Sequence, residues 1–131
     1  PPAEDGDPHP PVLVVEDDDE VRSFVTDTLR GLNYRVLEAA DGDGALALVR
    51  QPERIDLLLT DVVMPGMNGR TLGDAAQQHR PGLKVLYMTG YSRNAIVHQG
   101  RLDPGVSLIQ KPFSESALAT RVHGLLTVGG N

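Results

Sequence analysis

The chain has 131 residues, 40% of them hydrophobic, and a mass of 14.1 kDa, the size of one domain with one core. Its net charge of −6 and the lack of a basic patch disfavour a nucleic-acid binder, whose affinity comes largely from clustered Lys and Arg. The absence of cysteine excludes a disulfide framework, a thiolate zinc site and a cysteine nucleophile, and no apolar run approaches the roughly 20 residues of a membrane-spanning helix.

Residues 1–11, PPAEDGDPHPP, are Pro-rich and acidic without hydrophobic periodicity, which predicts a disordered linker. The start carries neither a basic nor an apolar leader segment, so we expect a cytoplasmic chain making no membrane contact. With no initiating Met, we expect a segment of a longer protein.

Val12–Val15 is an all-apolar run and a buried strand by length and propensity. It ends in five acids, Glu16 to Glu20, of which Asp18 or Asp19 is placed to cap a helix carrying Val21, Val25, Leu29 and Leu32. Gly31 and Asn33 mark its stop. A second strand spans Arg35–Ala39, and Asp41 with Gly42 opens a helix that Pro52 ends.

The third strand, Asp56–Thr60, runs into Asp61 and a Pro- and Gly-containing loop. A helix at Gly69–His79 follows, then a strand at Val85–Met88, a helix at Arg93–Gln99 and a strand at Val106–Ile109. A last helix, capped by Ser114, continues until Gly129 and Gly130. Strands alternating with amphipathic helices predict an α/β fold, a doubly wound five-stranded parallel sheet with five helices. We assign residues 12–128 to it and 129–131 to a flexible tail.

In such a sheet the residues just past each strand converge on one edge. Here they are Glu16, Asp17, Asp61, Thr89 and Lys111. Packed carboxylates repel unless a cation is near. Oxygen ligands without His or Cys select a hard ion, and few carboxylates plus water suit Mg²⁺ better than a full Ca²⁺ cage. The set suits phosphoryl transfer onto Asp61, with the metal and Lys111 holding phosphoryl oxygens and Thr89 donating to one.

Four motifs occur in order: VLVVEDD at 12–18, DLLLTDVVMPGMNG at 56–69, VLYMTGY at 85–91 and LIQKPF at 108–113. Together they resemble the response-regulator receiver domains. The resemblance implies a flavodoxin-like sheet of strand order 2-1-3-4-5, and phosphoryl transfer from the phosphohistidine of a kinase or phosphotransfer domain onto Asp61 in a Mg²⁺-dependent step.

It also implies that Glu16 and Asp17 form the acidic pocket, that Asp17 and Asp61 with the Val63 carbonyl ligate Mg²⁺, that Thr89 and Lys111 contact the phosphoryl group, and that the Lys111–Pro112 bond is cis. One departure is Leu108, where the family usually carries an aromatic residue that turns inward on phosphorylation. The stretch 90–113 is similar to receivers at the C-terminal end of hybrid sensor histidine kinases. Such a domain is a phosphoacceptor rather than a stand-alone enzyme.

A Mg²⁺-dependent aspartyl-phosphate phosphatase is the alternative, but its DxDxT pattern is not met at Glu16–Glu20. A nucleotide binder would need a phosphate-cradling loop after the first strand, where the acids repel phosphate. Asp41–Gly44 suggests a calcium loop, yet Ala45 stands where an oxygen ligand is needed. The four histidines, His9, His79, His98 and His123, have no metal-ligand spacing and are expected to be exposed, mostly on outer helices. The apolar Val63 side chain cannot orient an attacking water, and Tyr91 is either ordinary packing or a shield over the acyl phosphate; together the two are expected to modulate the phosphoryl lifetime.

Overall fold

The computed structural model of the chain describes residues 9–64, 66–89, 97, 98, 101, 102 and 107–128. In chain order the elements are β1 (His9–Val15), α1 (Asp19–Gly31), β2 (Tyr34–Ala39), α2 (Gly42–Val49), β3 (Leu57–Asp61), α3 (Gly69–His79), β4 (Lys84–Thr89), β5 (Val97–His98), β6 (Arg101–Leu102), β7 (Ser107–Gln110) and α4 (Glu115–Val128). Five strands form a parallel sheet of order β2-β1-β3-β4-β7. With β7 as its fifth strand, this is the expected 2-1-3-4-5 order.

The apolar runs are continuous because both faces of the sheet are covered. Alternate residues of one strand serve opposite cores. Val12, Val14, Leu57, Leu59, Leu86 and Met88 pack with α1 and α4, whereas Leu13, Val15 and Leu58 pack with α2 and α3. Every residue of β3 is buried, which holds the end of that strand rigidly.

Each helix begins on a side-chain cap, satisfying N–H groups that the first turn leaves unpaired. Asp18 accepts from Glu20 and Val21 N–H, Asp41 from Gly44 N–H and Asn68 from Thr71 N–H, and Ser114 Oγ accepts from Ala117 N–H. At the end of α1 the left-handed residue is Asn33, with φ of 73°, and not the nearby Gly31.

Three expectations need correction. β1 begins at His9, so it takes in the last three residues of the supposed linker 1–11. The register slips by one residue between His9 and Val12, where Pro10 and Pro11 lack the N–H that a regular ladder needs. Of the helix expected at 93–99, Val97 and His98 instead pair antiparallel with Leu102 and Arg101, where strand pairing of a β-branched residue prevails over a short helical pattern. Its other residues lie outside the described ones, as do 1–8, Tyr91, Val106 and the tail 129–131. There are accordingly four helices among the described residues. Third, His9 and His98 fall in strands, while His79 and His123 are exposed on helices as expected.

Gly69, the first residue of α3, closes the loop after β3 by donating its N–H to the Val62 carbonyl at 2.8 Å. A Cβ there would press on the Asp61 carbonyl and stand 2.9 Å from Val62 Cα. Gly to Ala in a helix ordinarily stabilises; here the backbone contact reverses the sign. Gly69→Ala is expected to cost about 1–3 kcal/mol, read from the urea unfolding midpoint, and an unchanged or raised midpoint would contradict the close approach.

Candidate functional site

The sheet delivers the expected residues to the C-terminal edge of its strands. Asp61 is the last residue of β3 and is 7% exposed; Glu16 directly follows β1 and is 1% exposed. Asp17 beside it is exposed. Carboxylate oxygens of Glu16, Asp17 and Asp61 all lie within 4.8 Å of one another. Lys111, just past β7, enters from the other side: its Nζ donates to Glu16 Oε1 at 2.7 Å and stands 3.2 Å from Asp61 Oδ1.

The second Glu16 oxygen, Oε2, accepts from Asp18 N–H at 3.1 Å. The Lys111 N–H donates to the Thr89 carbonyl at 2.6 Å, so β7 is tied to the end of β4 at the residue that carries the expected hydroxyl. Thr89 is buried, and the Lys111–Pro112 bond is cis. Val63 lies two residues past Asp61 with its side chain 62% exposed, between the buried Val62 and Met64.

Two features escape the sequence patterns. Arg22, one turn into α1, donates to the Glu16 backbone carbonyl at 2.8 Å; its only sequence signal is the i,i+3 spacing from Asp19. Tyr87 sits opposite Leu108 in the ladder between β4 and β7. It forms a small buried cluster with Val62, against which Leu108 packs. An aromatic ring does therefore occupy this side of the sheet, supplied from the neighbouring strand.

Residues 12–123 match the family model for the response regulator receiver domain. The chain belongs to that family. It is a receiver domain of two-component signalling. Over 116 residues it is 36% identical to the sensor kinase CckA of Brucella abortus, covering 88% of this chain and 12% of the kinase. It is 31% identical to the response regulator receiver protein CpdR of the same organism, covering 88% of this chain and 95% of CpdR.

Against the transcriptional regulatory protein YrkP of Bacillus subtilis it is 35% identical and spans 47% of that protein. Among solved structures, the receiver domain of the hybrid histidine kinase CckA superposes with a TM-score of 0.75 at 38% identity, covering 88% of this chain and 98% of that one. A receiver protein from Sinorhizobium medicae reaches 0.82 at 21% identity, a likeness of fold.

The electrostatics of this receiver domain follow from burial. Desolvation raises the Asp61 carboxyl above its ordinary range, more than the neighbouring Lys111 ammonium lowers it, and the charge of Asp17 adds to the rise. Glu16 is raised chiefly by burial, against the hydrogen bond from Lys111. Burial alone would lower Lys111, but the hydrogen bond to Glu16 and the charges of Asp61 and Glu16 outweigh it and leave it raised. Three carboxylates against one ammonium leave a net negative pocket without a further cation.

For an acid raised on folding, stability is fully present below its unfolded value near 4 and is lost as the pH rises through the folded value. Ionisation of Asp61 consequently weighs against the fold. In metal-free buffer, Asp61→Asn is expected to raise the urea midpoint at pH 7, with the gain shrinking as the pH falls toward about 4. A pH-independent difference, or a loss at pH 7, would contradict this balance.

Proposed function

We propose that this receiver domain accepts a phosphoryl group onto the Asp61 carboxylate from the phosphohistidine of a kinase or phosphotransfer domain, and later returns or hydrolyses it. The observation that carries this is the Lys111 ammonium standing 2.7 Å from Glu16 and 3.2 Å from Asp61, beside an oxygen cluster completed by Asp17.

A carboxylate nucleophile must approach an already anionic phosphoryl group, so the surrounding charge decides whether it can attack. The oxygens of Glu16, Asp17 and Asp61 fit a hard divalent ion that keeps several of its waters; with the Val63 carbonyl they would hold Mg²⁺. Bound there, Mg²⁺ would supply positive charge against the phosphoryl oxygens.

Lys111 offers a second positive charge from the protein itself, already aimed at Asp61. The Asp61 oxygen attacks phosphorus as the bond to the histidine nitrogen breaks, and the imidazole departs neutral because its other ring nitrogen carries a proton. Thr89 donates its hydroxyl to a phosphoryl oxygen, and Lys111 pairs with another. Glu16, both of whose oxygens already accept hydrogen bonds, acts mainly by holding Lys111 and adding charge to the metal pocket.

The similarity to a receiver domain of a hybrid histidine kinase supports a parent chain of that kind, in which the domain would be phosphorylated by its own kinase module or pass the group onward. With β1 beginning at His9, residues 9–128 make up the phosphoacceptor unit. The phosphatase alternative is less favoured because its DxDxT pattern is not met at Glu16–Glu20.

Incubation with acetyl phosphate and Mg²⁺ is expected to give an acid-stable, base-labile label at Asp61 that chelation of Mg²⁺ prevents. Lys111→Ala or Thr89→Ala is expected to slow labelling by about 10²-fold. A wild-type chain that takes no label, or equal labelling of Asp61→Asn, would overturn the proposal.

A further inference from the structure

Arg22 stands beside Glu16 with each of its three guanidinium nitrogens facing an oxygen. Nη1 donates to the Glu16 carbonyl at 2.8 Å, Nη2 pairs with Asp19 at 2.6 Å and Nε lies 3.4 Å from Glu38 Oε1 on β2. Its side chain is 19% exposed, well covered for an arginine. Burying a guanidinium is costly unless its N–H groups find partners, and here one of those partners is a backbone oxygen at the site.

The Glu16 carbonyl belongs to the peptide that joins Glu16 to Asp17. A donor on that oxygen sets the plane of the peptide, and with it the direction in which Asp17 leaves the chain. The Glu16 N–H is held on the other side by the Ala39 carbonyl at 3.2 Å, and Glu38, one residue earlier on β2, is itself paired with Arg30 at 3.0 Å. β2 thus braces the turn that carries both acids, through one backbone bond and one guanidinium.

We infer that Arg22 is a positioning residue that sets the affinity of the Glu16–Asp17–Asp61 cluster for its divalent cation. This rests on the metal site proposed above. Groups that orient metal ligands from behind typically account for 10–100-fold in metal affinity. Charge alone predicts the opposite sign: Arg22 is a cation beside a cation site, and its removal by that effect would tighten binding.

Calorimetric titration of MgCl₂ into the full chain decides between them, at a temperature where separate unfolding curves show each variant folded. Arg22→Ala is expected to weaken Mg²⁺ binding about tenfold or more. Arg22→Lys keeps the charge but cannot span three acceptors, and is expected to fall between Arg22→Ala and wild type. Glu38→Gln loosens one tether while leaving α1 intact, and a smaller weakening is expected.

Binding by Arg22→Ala at or above wild-type affinity would overturn the inference. If Arg22→Ala does not fold, wild-type affinity in both Arg22→Lys and Glu38→Gln would do so instead. A wild-type chain that binds no Mg²⁺ and takes no label at Asp61 would overturn the proposed function, and this inference with it. Normal wild-type labelling and binding alongside unaffected variants would overturn this inference alone.

Discussion

Two carboxylates, Glu16 and Asp61, are almost wholly buried at neighbouring strand ends, and a single ammonium from Lys111 lies against both. Buried like charges are tolerable only with a compensating cation. The fold meets that condition with a residue 95 positions from Glu16 along the chain, so the site exists only once β1, β3 and β7 are in one sheet. Compensation stays incomplete, since burial keeps both acids raised above their ordinary range. The oxygens of Glu16, Asp17 and Asp61 together form a cluster able to hold a metal ion.

Rigidity around that potential comes from packing. β3 is buried along its whole length, with Leu57 and Leu59 in one core and Leu58 in the other, so Asp61 is held by the layers above and below it. Past Asp61 the chain turns sharply: Gly69 returns against the Asp61 carbonyl and bonds Val62, while Met64 is buried and Val63 is left at the surface. The loop that carries the proposed carbonyl ligand is therefore pinned at its two ends.

The side of the sheet next to Asp61 carries its aromatic ring on an unexpected strand. Leu108 stands where receivers usually carry an aromatic ring, and Tyr87 on the adjacent strand packs with Val62 next to Asp61. The Arg70 guanidinium of α3 lies 5.7 Å from the centre of its ring, and its hydroxyl abuts Gly73. Tyr87 is thus in contact both with the residue following Asp61 and with the helix beyond it, while Arg22 performs a comparable bracing on the opposite side of the cluster, between α1 and β2.

Much of this architecture was legible in the residues because it depends on local chemistry. The bounds of α3 and the helix starts at Asp18, Asp41 and Ser114 follow from side chains that satisfy nearby N–H groups, and the continuous apolar runs announce strands covered on both faces. The motif set singled out Glu16, Asp17, Asp61, Thr89 and Lys111, and the fold brings the side chains of Glu16, Asp17, Asp61 and Lys111 together. Local patterns failed where pairing decides, as at Val97 and His98 and at His9, whose strand extends through two prolines. What the tertiary structure alone decided is how charges and rings meet: Lys111 between Glu16 and Asp61, the Arg22 guanidinium on the Glu16 carbonyl, and Tyr87 beside Leu108. Periodicity assigns a residue to a face of its own element, but a contact between elements depends on register and on where three strands end together, which no local pattern encodes.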